Sequence, residues 1–230
     1  VIGDRDTDLE FARNLGIRGL RVRADGADGA TWDAVARELL ARRAVVERNT
    51  KETRIRIAVD LDAEGPIHIA TGHGFFDHML EQIARHGGFA LDLRCEGDLH
   101  VDEHHTVEDC ALALGTALKQ ALGDKRGIQR YGFLLPMDEA RAQVAIDLSG
   151  RPYAVFEGRF NRSEVGGLAT ELVPHFFRSL AETLGAAVHV TVSGENTHHM
   201  VEACFKGVGR ALRMAIRREG TELPTTKGVL

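Results

Sequence analysis

The sequence predicts an α+β protein made of two equivalent halves, and three observations lead to this prediction. The pattern HHxxE occurs twice, as His104-His105-Thr106-Val107-Glu108 and, 94 residues later, as His198-His199-Met200-Val201-Glu202. A further histidine precedes each copy, and these two, His78 and His175, are 97 residues apart. A similar order of strands and helices surrounds both copies, so each half has helices with one face free to cover one sheet.

Composition narrows the class of protein. The chain has 230 residues, of which 43% are hydrophobic and 27% charged, as in an ordinary globular protein with a substantial core. The net charge of −5 does not indicate a nucleic-acid surface, and no apolar run approaches the ~18 residues of a membrane span. Three widely spaced cysteines favour buried free thiols in a reducing cytoplasm over a disulfide framework.

The first 44 residues differ from the rest of the chain. They begin without a methionine or an apolar leader, so we expect the middle of a longer protein rather than a signal peptide. The pattern predicts a helix over 9–17, a short strand over 20–22, a loop over 24–30 and a helix capped by Thr31 that reaches about Arg43. A break is predicted over 44–50.

Both halves then show the same sequence of elements. Alternation of apolar and polar residues predicts strands, and apolar residues at helical spacing predict helices that end at glycines. In the first half the strands are 55–61, 66–69 and 89–93, and the helices 75–86 and 106–122. In the second half the strands are 142–148, 152–156 and 188–192, and the helices 172–184 and 197–217.

The histidines and glutamates have the spacing of metal ligands. If HHxxE opens a helix, His104 and Glu108 lie on one face, whereas His105 is rotated by roughly 100° and is free to bind a second metal. The economical arrangement exchanges ligands between the halves. One metal would be held by His78, His105, His198 and Glu202, and the other by His175, His199, His104 and Glu108. Each would keep open positions for substrate or water, and the donors suit Zn, Fe, Ni or Mn. Whether a neighbouring subunit supplies part of each set stays open.

Several motifs resemble imidazoleglycerol-phosphate dehydratase of histidine biosynthesis. They are Arg48-Asn49-Thr50-Lys51-Glu52-Thr53, the run from Thr71-Gly72 to Asp77-His78-Met79-Leu80, both HHxxE copies, and Pro224-Thr225-Thr226-Lys227-Gly228. The resemblance covers residues 45–230, with repeats of about 48–125 and 128–218. It implies a tandem repeat of two ribosomal-protein-S5-domain-2-like halves, each a small sheet covered by helices on one face. It also implies two Mn²⁺ ions and a 24-mer built from trimers.

The N-terminal segment resembles a different family. Gly3-Asp4-Arg5-Asp6-Thr7-Asp8, with Asn14-Leu15-Gly16, is similar to the last acidic motif of a haloacid-dehalogenase-type phosphatase such as histidinol-phosphatase. In that family Asp4 would help to hold Mg²⁺. Because the nucleophilic aspartate motif is absent, we expect residues 1–44 to be a remnant without phosphatase activity. We also expect these residues to pack poorly.

The dehydratase resemblance implies a hydro-lyase reaction on a small phosphorylated imidazole substrate. The hydrogen removed from imidazole glycerol phosphate is not acidic, so the substrate's own ring must supply the electrons, through a metal-stabilised imidazolate. By resemblance, Glu52 is the candidate acid–base group. The substrate-binding candidates are His86, Arg130, Arg151, Thr225 and Lys227.

Two other interpretations compete with the lyase. A binuclear metallohydrolase acting on a phosphoester would set its metals ~3.5–4 Å apart, normally with a bridging carboxylate, and none is evident in this sequence. Alternatively, the metals would only join subunits. No nucleic-acid or membrane partner is predicted.

Overall fold

The computed structural model of the protein describes residues 1–23 and 29–230, without the side chains of residues 134 and 135. The described chain divides into two compact units, Val1–Ala41 and Arg42–Leu230. Within the described residues, no helix combines the length and the apolar character that crossing a membrane requires.

Within its described residues, the smaller unit contains four short elements. These are β1 (Ile2–Gly3), α1 (Asp6–Asn14), β2 (Leu20–Arg21) and α2 (Trp32–Leu40), and the two strands pair in parallel. Within this unit Ala12, Val22 and Val35 are buried, whereas Phe11 and Trp32 are exposed. Most of the predicted loop over 24–30 lies outside the described residues.

The larger unit is a tandem repeat. Its first half contains β3 (Arg43–Asn49), β4 (Thr53–Asp60), β5 (Ile67–Ala70), α3 (Gly74–Gly87), β6 (Ala90–Gly97) and α4 (His104–Leu122). Its second half contains β7 (Tyr131–Met137), β8 (Ala140–Asp147), β9 (Tyr153–Glu157), β10 (Glu164–Val165), β11 (Leu168–Ala169), α5 (Leu172–Leu184), β12 (Ala187–Ser193) and α6 (Thr197–Ala215). Apart from the β10–β11 hairpin, both halves have the same element order.

The two four-stranded sheets have the same topology. Their strand orders are β3-β4-β6-β5 and β7-β8-β12-β9, in which the last pair of each sheet is parallel and the others antiparallel. The central strands β4 and β8 share one alternating burial pattern, so each sheet turns one apolar face inward. The predicted α+β fold of two repeated halves is therefore confirmed.

The helices pack between the sheets and join the repeats. Helices α3 and α4 contact the first sheet, α5 and α6 contact the second, and the repeats meet where α4 packs on α5 and α3 on α6. Buried side chains from both repeats form one continuous core. This arrangement brings the start of each HHxxE helix beside the helix of the other repeat that carries the lone histidine.

Two strands of the four-stranded sheets differ from the sequence prediction. The predicted break over 44–50 was wrong, because residues 43–49 form β3, which pairs with β4 along its whole length. Strand β7 was also missed, since Gly132 and Pro136 resemble turn signals. Both are edge strands, where proline and charged residues are tolerated because one side needs no ladder partner.

Candidate metal centres and substrate pocket

The first cluster combines residues from both repeats. His104 and Glu108 lie one turn apart at the start of α4, with Nε2 of His104 3.7 Å from Oε2 of Glu108. His175, on α5, places its Nε2 3.6 Å from the same oxygen. One ligand atom from each of the three residues lies within 4.8 Å of the others. The packing of α4 against α5 therefore brings two candidate ligands of the first repeat together with one candidate ligand of the second repeat.

The second cluster has the same arrangement, with α6 in place of α4 and α3 in place of α5. Nε2 of His198 lies 3.3 Å from Oε2 of Glu202 on α6, and Nε2 of His78, on α3, lies 3.7 Å from Oε1 of Glu202. Gln82 contacts Nδ1 of His78 at 3.3 Å, on the side of the ring away from Glu202. Three members of each sequence-predicted set therefore meet within one chain.

The donors in these clusters fit a divalent cation. Nε2 of His175 is buried and has no hydrogen-bond partner within the described chain. A buried polar atom without a partner is costly, so its orientation toward His104 and Glu108 indicates a position for a ligand that accepts its lone pair. Imidazole and carboxylate are suitable donors for such a cation.

Short polar side chains fix the start of both HHxxE helices. The Oδ1 atom of Asn196 accepts hydrogen bonds from the backbone N–H groups of His198 and His199, at 2.9 and 3.4 Å. Asp102 accepts one from the N–H of His104 at 2.9 Å. Since these carboxylate and amide groups satisfy N–H groups that the first turn leaves unpaired, they hold the histidines at the helix ends.

The second histidine of each HHxxE copy contacts a carboxylate and is not part of either three-residue cluster. Nδ1 of His105 lies 3.0 Å from Asp98, and Nδ1 of His199 lies 2.9 Å from Glu139. The contacts of the described chain do not bring His105 to the His78 cluster or His199 to the His104 cluster. The hydrogen bond that His105 donates to Asp98 raises the pKa of His105, and the one that His199 donates to Glu139 raises the pKa of His199. Sequence reasoning missed both carboxylates, which lie outside the motifs.

One cation makes the two clusters unequal. Nζ of Lys206 lies 2.7 Å from Oε1 of Glu202, four residues earlier on α6. The corresponding position on α4 is Leu112. Burial alone would raise the pKa of Glu202, but the hydrogen bond and charge of Lys206 outweigh it and the pKa is lowered. The (i, i+4) spacing of glutamate and lysine was a signal for this contact that sequence reasoning did not use.

Asp109 anchors the turn that carries Glu52. Its carboxylate accepts hydrogen bonds from Arg48 at 2.9 Å, Thr53 at 2.6 Å and Thr50 at 3.3 Å. Asp77 similarly accepts from the backbone and hydroxyl of Thr71. The described contacts of both aspartates tie loops to helices.

Glu52 and His86 lie near different parts of the site. Glu52 is exposed at the end of the β3–β4 turn, and its negative charge contributes to the raised pKa of His105. The pKa of His86 is lowered, chiefly by burial and further by the charges of Lys206 and Arg210. His86 is therefore neutral at physiological pH.

Four of the five predicted substrate-binding residues line one pocket of about 490 Å³. Arg130, Arg151, Thr225 and Lys227 lie there together with Tyr131, Pro224, Thr226 and Leu230. Asp147 binds the guanidinium of Arg130 through two hydrogen bonds, of 2.5 and 3.0 Å, and the carbonyl of Pro224 accepts a third at 3.0 Å. The C-terminal motif is thereby held against the strand end that carries Arg130.

Asp4 stands apart from these clusters. It is exposed in the segment between β1 and α1, and no group of metal-ligating side chains forms around it among the residues that the structure describes. The nearby Asp6 pairs with Arg21, and Asp8 accepts a hydrogen bond from the backbone of Arg5.

Comparison with known proteins agrees with this geometry. Residues 71–212 match the family model described as imidazoleglycerol-phosphate dehydratase. The histidine biosynthesis bifunctional proteins HisB of Xanthomonas axonopodis and Stenotrophomonas maltophilia are 59% and 60% identical over the whole chain, which spans 67% and 65% of their lengths.

Solved structures show the same fold. The dehydratase of Pyrococcus furiosus matches with a TM-score of 0.71 and 37% identity, over 80% of this chain and 100% of its own. That of Staphylococcus aureus matches with a TM-score of 0.68 and 37% identity, over 77% and 99%.

The fold and the paired clusters define a tandem-repeat α+β enzyme with histidine and glutamate donors where its repeats meet. The matches identify it further: the chain belongs to the imidazoleglycerol-phosphate dehydratase family. Its reaction is the hydro-lyase step of histidine biosynthesis that converts imidazole glycerol phosphate to imidazole acetol phosphate.

Proposed function

We propose that this dehydration uses two divalent metal ions, most readily Mn²⁺, one at each cluster. The His104, Glu108 and His175 group would hold one ion, and the His78, His198 and Glu202 group the other. The proposal is supported by the pseudo-symmetric distances of 3.3–3.7 Å and above all by the unpartnered Nε2 of His175. When bound, the metals supply Lewis acidity that stabilises negative charge on the substrate's imidazole ring.

The phosphate pocket fixes the other end of the substrate. Arg130, Arg151 and Lys227 supply positive charge, and the Thr225 hydroxyl is a further donor. Because Asp147 holds the Arg130 guanidinium in one orientation, little side-chain freedom is lost when it binds a phosphate oxygen. Neutral His86 would contact the substrate as a hydrogen-bonding group rather than as a cation.

Glu52 is the group that moves the proton. Its backbone N–H is held by the hydroxyl of Thr50, which in turn contacts Asp109. The Glu52 carboxylate makes no hydrogen bond to the described residues, so it remains available to take the proton from the substrate carbon next to the phosphate-bearing methylene. Loss of that proton and of the hydroxyl beside the ring gives an enol, which becomes the ketone.

A neighbouring copy completes each metal centre in this proposal. His105 and His199 are held through Nδ1, which leaves Nε2 of each ring available to bind a metal. Such exchange requires a homo-oligomer, for which we propose the 24-mer built from trimers. Mixing two inactive variants, His105→Asn and Glu202→Gln, tests this. Co-assembly will restore part of the activity if the residues come from different chains, and none if they come from one.

We also propose a cytoplasmic location and a division of the chain into residues 1–44 and 45–230. The first segment would be part of a phosphatase-type domain, as the similarity of its acidic motif around Asp4 suggests.

The experiment that tests the proposal is incubation of the Mn²⁺-loaded protein with imidazole glycerol phosphate. Formation of the keto product that stops on chelation and resumes with added Mn²⁺ is the expected result. Release of inorganic phosphate in place of keto product would indicate the hydrolase instead. Turnover unaffected by complete metal removal would refute the metal-dependent proposal.

A further inference from the structure

The repeat symmetry of the site fails at two carboxylates. Asp98, which holds His105, directly follows β6, whereas Glu139, which holds His199, directly precedes β8. These two positions are not equivalent in the repeat, although the histidines they hold are. The two equivalent histidines are therefore held by carboxylates from different elements of the repeat.

Strand register identifies the true counterpart of each carboxylate. Arg54 on β4 pairs with Glu96 on β6, and Arg141 on β8 pairs with Ser193 on β12, so β4 and β8 correspond residue by residue. The residue immediately before β4 is Glu52 and the residue immediately before β8 is Glu139. Glu139 is thus the repeat counterpart of Glu52.

The same register assigns a counterpart to Asp98. Gly97 and Gly194 correspond, since an added Cβ would meet Thr106 at the first position and Met200 at the second, and these two residues are themselves 94 apart. The residue after Gly194 is Glu195, the counterpart of Asp98. Glu195 is exposed, and its side chain makes no hydrogen bond to the described residues.

The two glutamates before β4 and β8 are in opposite states. Both oxygens of Glu139 are engaged, Oε2 with Nδ1 of His199 at 2.9 Å and Oε1 with the backbone N–H of Asn196 at 2.9 Å. The carboxylate of Glu52 has no such contacts, because Asp98 already occupies Nδ1 of His105. The first repeat therefore keeps a free carboxylate at this position, whereas the second repeat uses its carboxylate to hold His199.

We propose that Glu139 and Asp98 are positioning residues that direct Nε2 of His199 and His105 toward a metal. Because the two carboxylates occupy non-equivalent positions of the repeat, only one side of the pseudo-symmetric site keeps a carboxylate that can transfer a proton. Proton transfer is confined to the His105 side, where Glu52 is free. The Glu139 side serves only to hold its histidine. This inference rests on the proposed two-metal function.

The physical reason is the tautomer of imidazole. A carboxylate that accepts a hydrogen bond from Nδ1–H leaves the lone pair on Nε2, which is the form that binds a cation. Because Glu139 is used to orient His199, only the His105 side keeps a free carboxylate, Glu52, that can take the proton from the substrate carbon.

The test compares Mn²⁺ binding with turnover in Glu139→Gln, Asp98→Asn, Glu52→Gln and the control Glu195→Gln. Free Mn²⁺ is measured by electron paramagnetic resonance, and kcat is measured at saturating Mn²⁺. Glu139→Gln and Asp98→Asn are expected to bind Mn²⁺ about 10–100-fold more weakly and to regain most of their kcat when Mn²⁺ saturates. Glu52→Gln should bind Mn²⁺ normally and lose ~100-fold or more in kcat. Glu195→Gln should match the wild type.

A double variant separates positioning from misfolding. If Glu139 acts only through His199, adding Glu139→Gln to a His199→Asn chain will not weaken Mn²⁺ binding further. The inference is overturned if Glu139→Gln binds Mn²⁺ like the wild type but loses kcat as Glu52→Gln does, or if the double variant binds more weakly than His199→Asn alone. Failure of the wild type itself to bind Mn²⁺ would instead refute the proposed function.

Discussion

Nε2 of His175 lies 3.6 Å from Oε2 of Glu108, although the two residues belong to different repeats. Each is held by a helix whose register is fixed by apolar packing, so their separation depends on how α4 crosses α5. The same relationship links His78 to Glu202 across α3 and α6. Neither repeat alone assembles a three-residue cluster.

The first prediction concerns metal content. His175→Asn should lower bound Mn²⁺ from two ions per chain to one, because it removes an imidazole donor from one cluster and leaves the other intact. Metal analysis of the purified protein after dialysis measures this directly. His68→Asn, at an exposed position on β5, is the matched control and should retain both ions.

The second prediction concerns the phosphate pocket. Lys227→Ala should raise KM by about 10–100-fold with a smaller effect on kcat, because a charge-assisted hydrogen bond is worth about 1.5–3 kcal/mol. Steady-state kinetics on imidazole glycerol phosphate provides the measurement. Arg126→Ala, an exposed cation that pairs with Asp124, should behave like the wild type. An equal loss in both variants would show that only overall charge matters.

The third prediction concerns two glycines at equivalent positions of the helix crossings. A Cβ at Gly115 would lie 2.7 Å from the Leu180 carbonyl oxygen, and one at Gly209 would lie 2.8 Å from that of Ile83. Gly115→Ala and Gly209→Ala should therefore separate the helices and lower the free energy of unfolding by about 1–3 kcal/mol.

Thermal or denaturant unfolding measures this loss, and Mn²⁺ affinity should fall with it because the clusters span the same crossings. Gly74→Ala provides the control, since nothing lies within 4 Å of the added Cβ. Unchanged stability in both crossing variants would contradict the close helix packing.

The fourth prediction concerns pH. The hydrogen bonds to Asp98 and Glu139 raise the pKa of His105 and His199 above the ordinary value of 6.5. Protons compete with metal for imidazole, so Mn²⁺ affinity should begin to fall at a pH above 6.5 as the pH is lowered.

Glu139→Gln lowers the pKa of His199 toward its ordinary value, and the onset of proton competition should move to lower pH. Mn²⁺ titrations between pH 5.5 and 8.5 compare the two proteins. An onset at the same pH in both would contradict the assigned hydrogen bond.

The sequence predicted the repeat and the closeness of three residues in each ligand set, because both depend strongly on spacing along the chain. His104 and Glu108 share a helix face wherever that helix lies, and the matched offsets of His78 and His175 indicate equivalent placement. The partners of His105 and His199 were not predictable in this way. Glu139 lies 60 residues from His199 in the chain, and only the pairing of β8 with β12 brings them together.

Strands β3 and β7 were missed for a related reason. Strand β3 alternates exposed and half-buried residues but carries charges at several positions, and its pairing with β4 decides its conformation. Lys206 was overlooked because the motif ends at Glu202, although its charge distinguishes one cluster from the other. Local sequence patterns predicted most of the elements but not the contacts between side chains and between strands.

The separation of the two metals is the measurement that tests the central claim most directly. Anomalous diffraction from crystals of the Mn²⁺-loaded protein locates both ions. The account predicts one ion at Glu108 and one at Glu202, far enough apart for an imidazole ring to lie between two ions of the assembled site. A pair of ions ~3.5–4 Å apart that share one carboxylate, as in binuclear hydrolases, would contradict it.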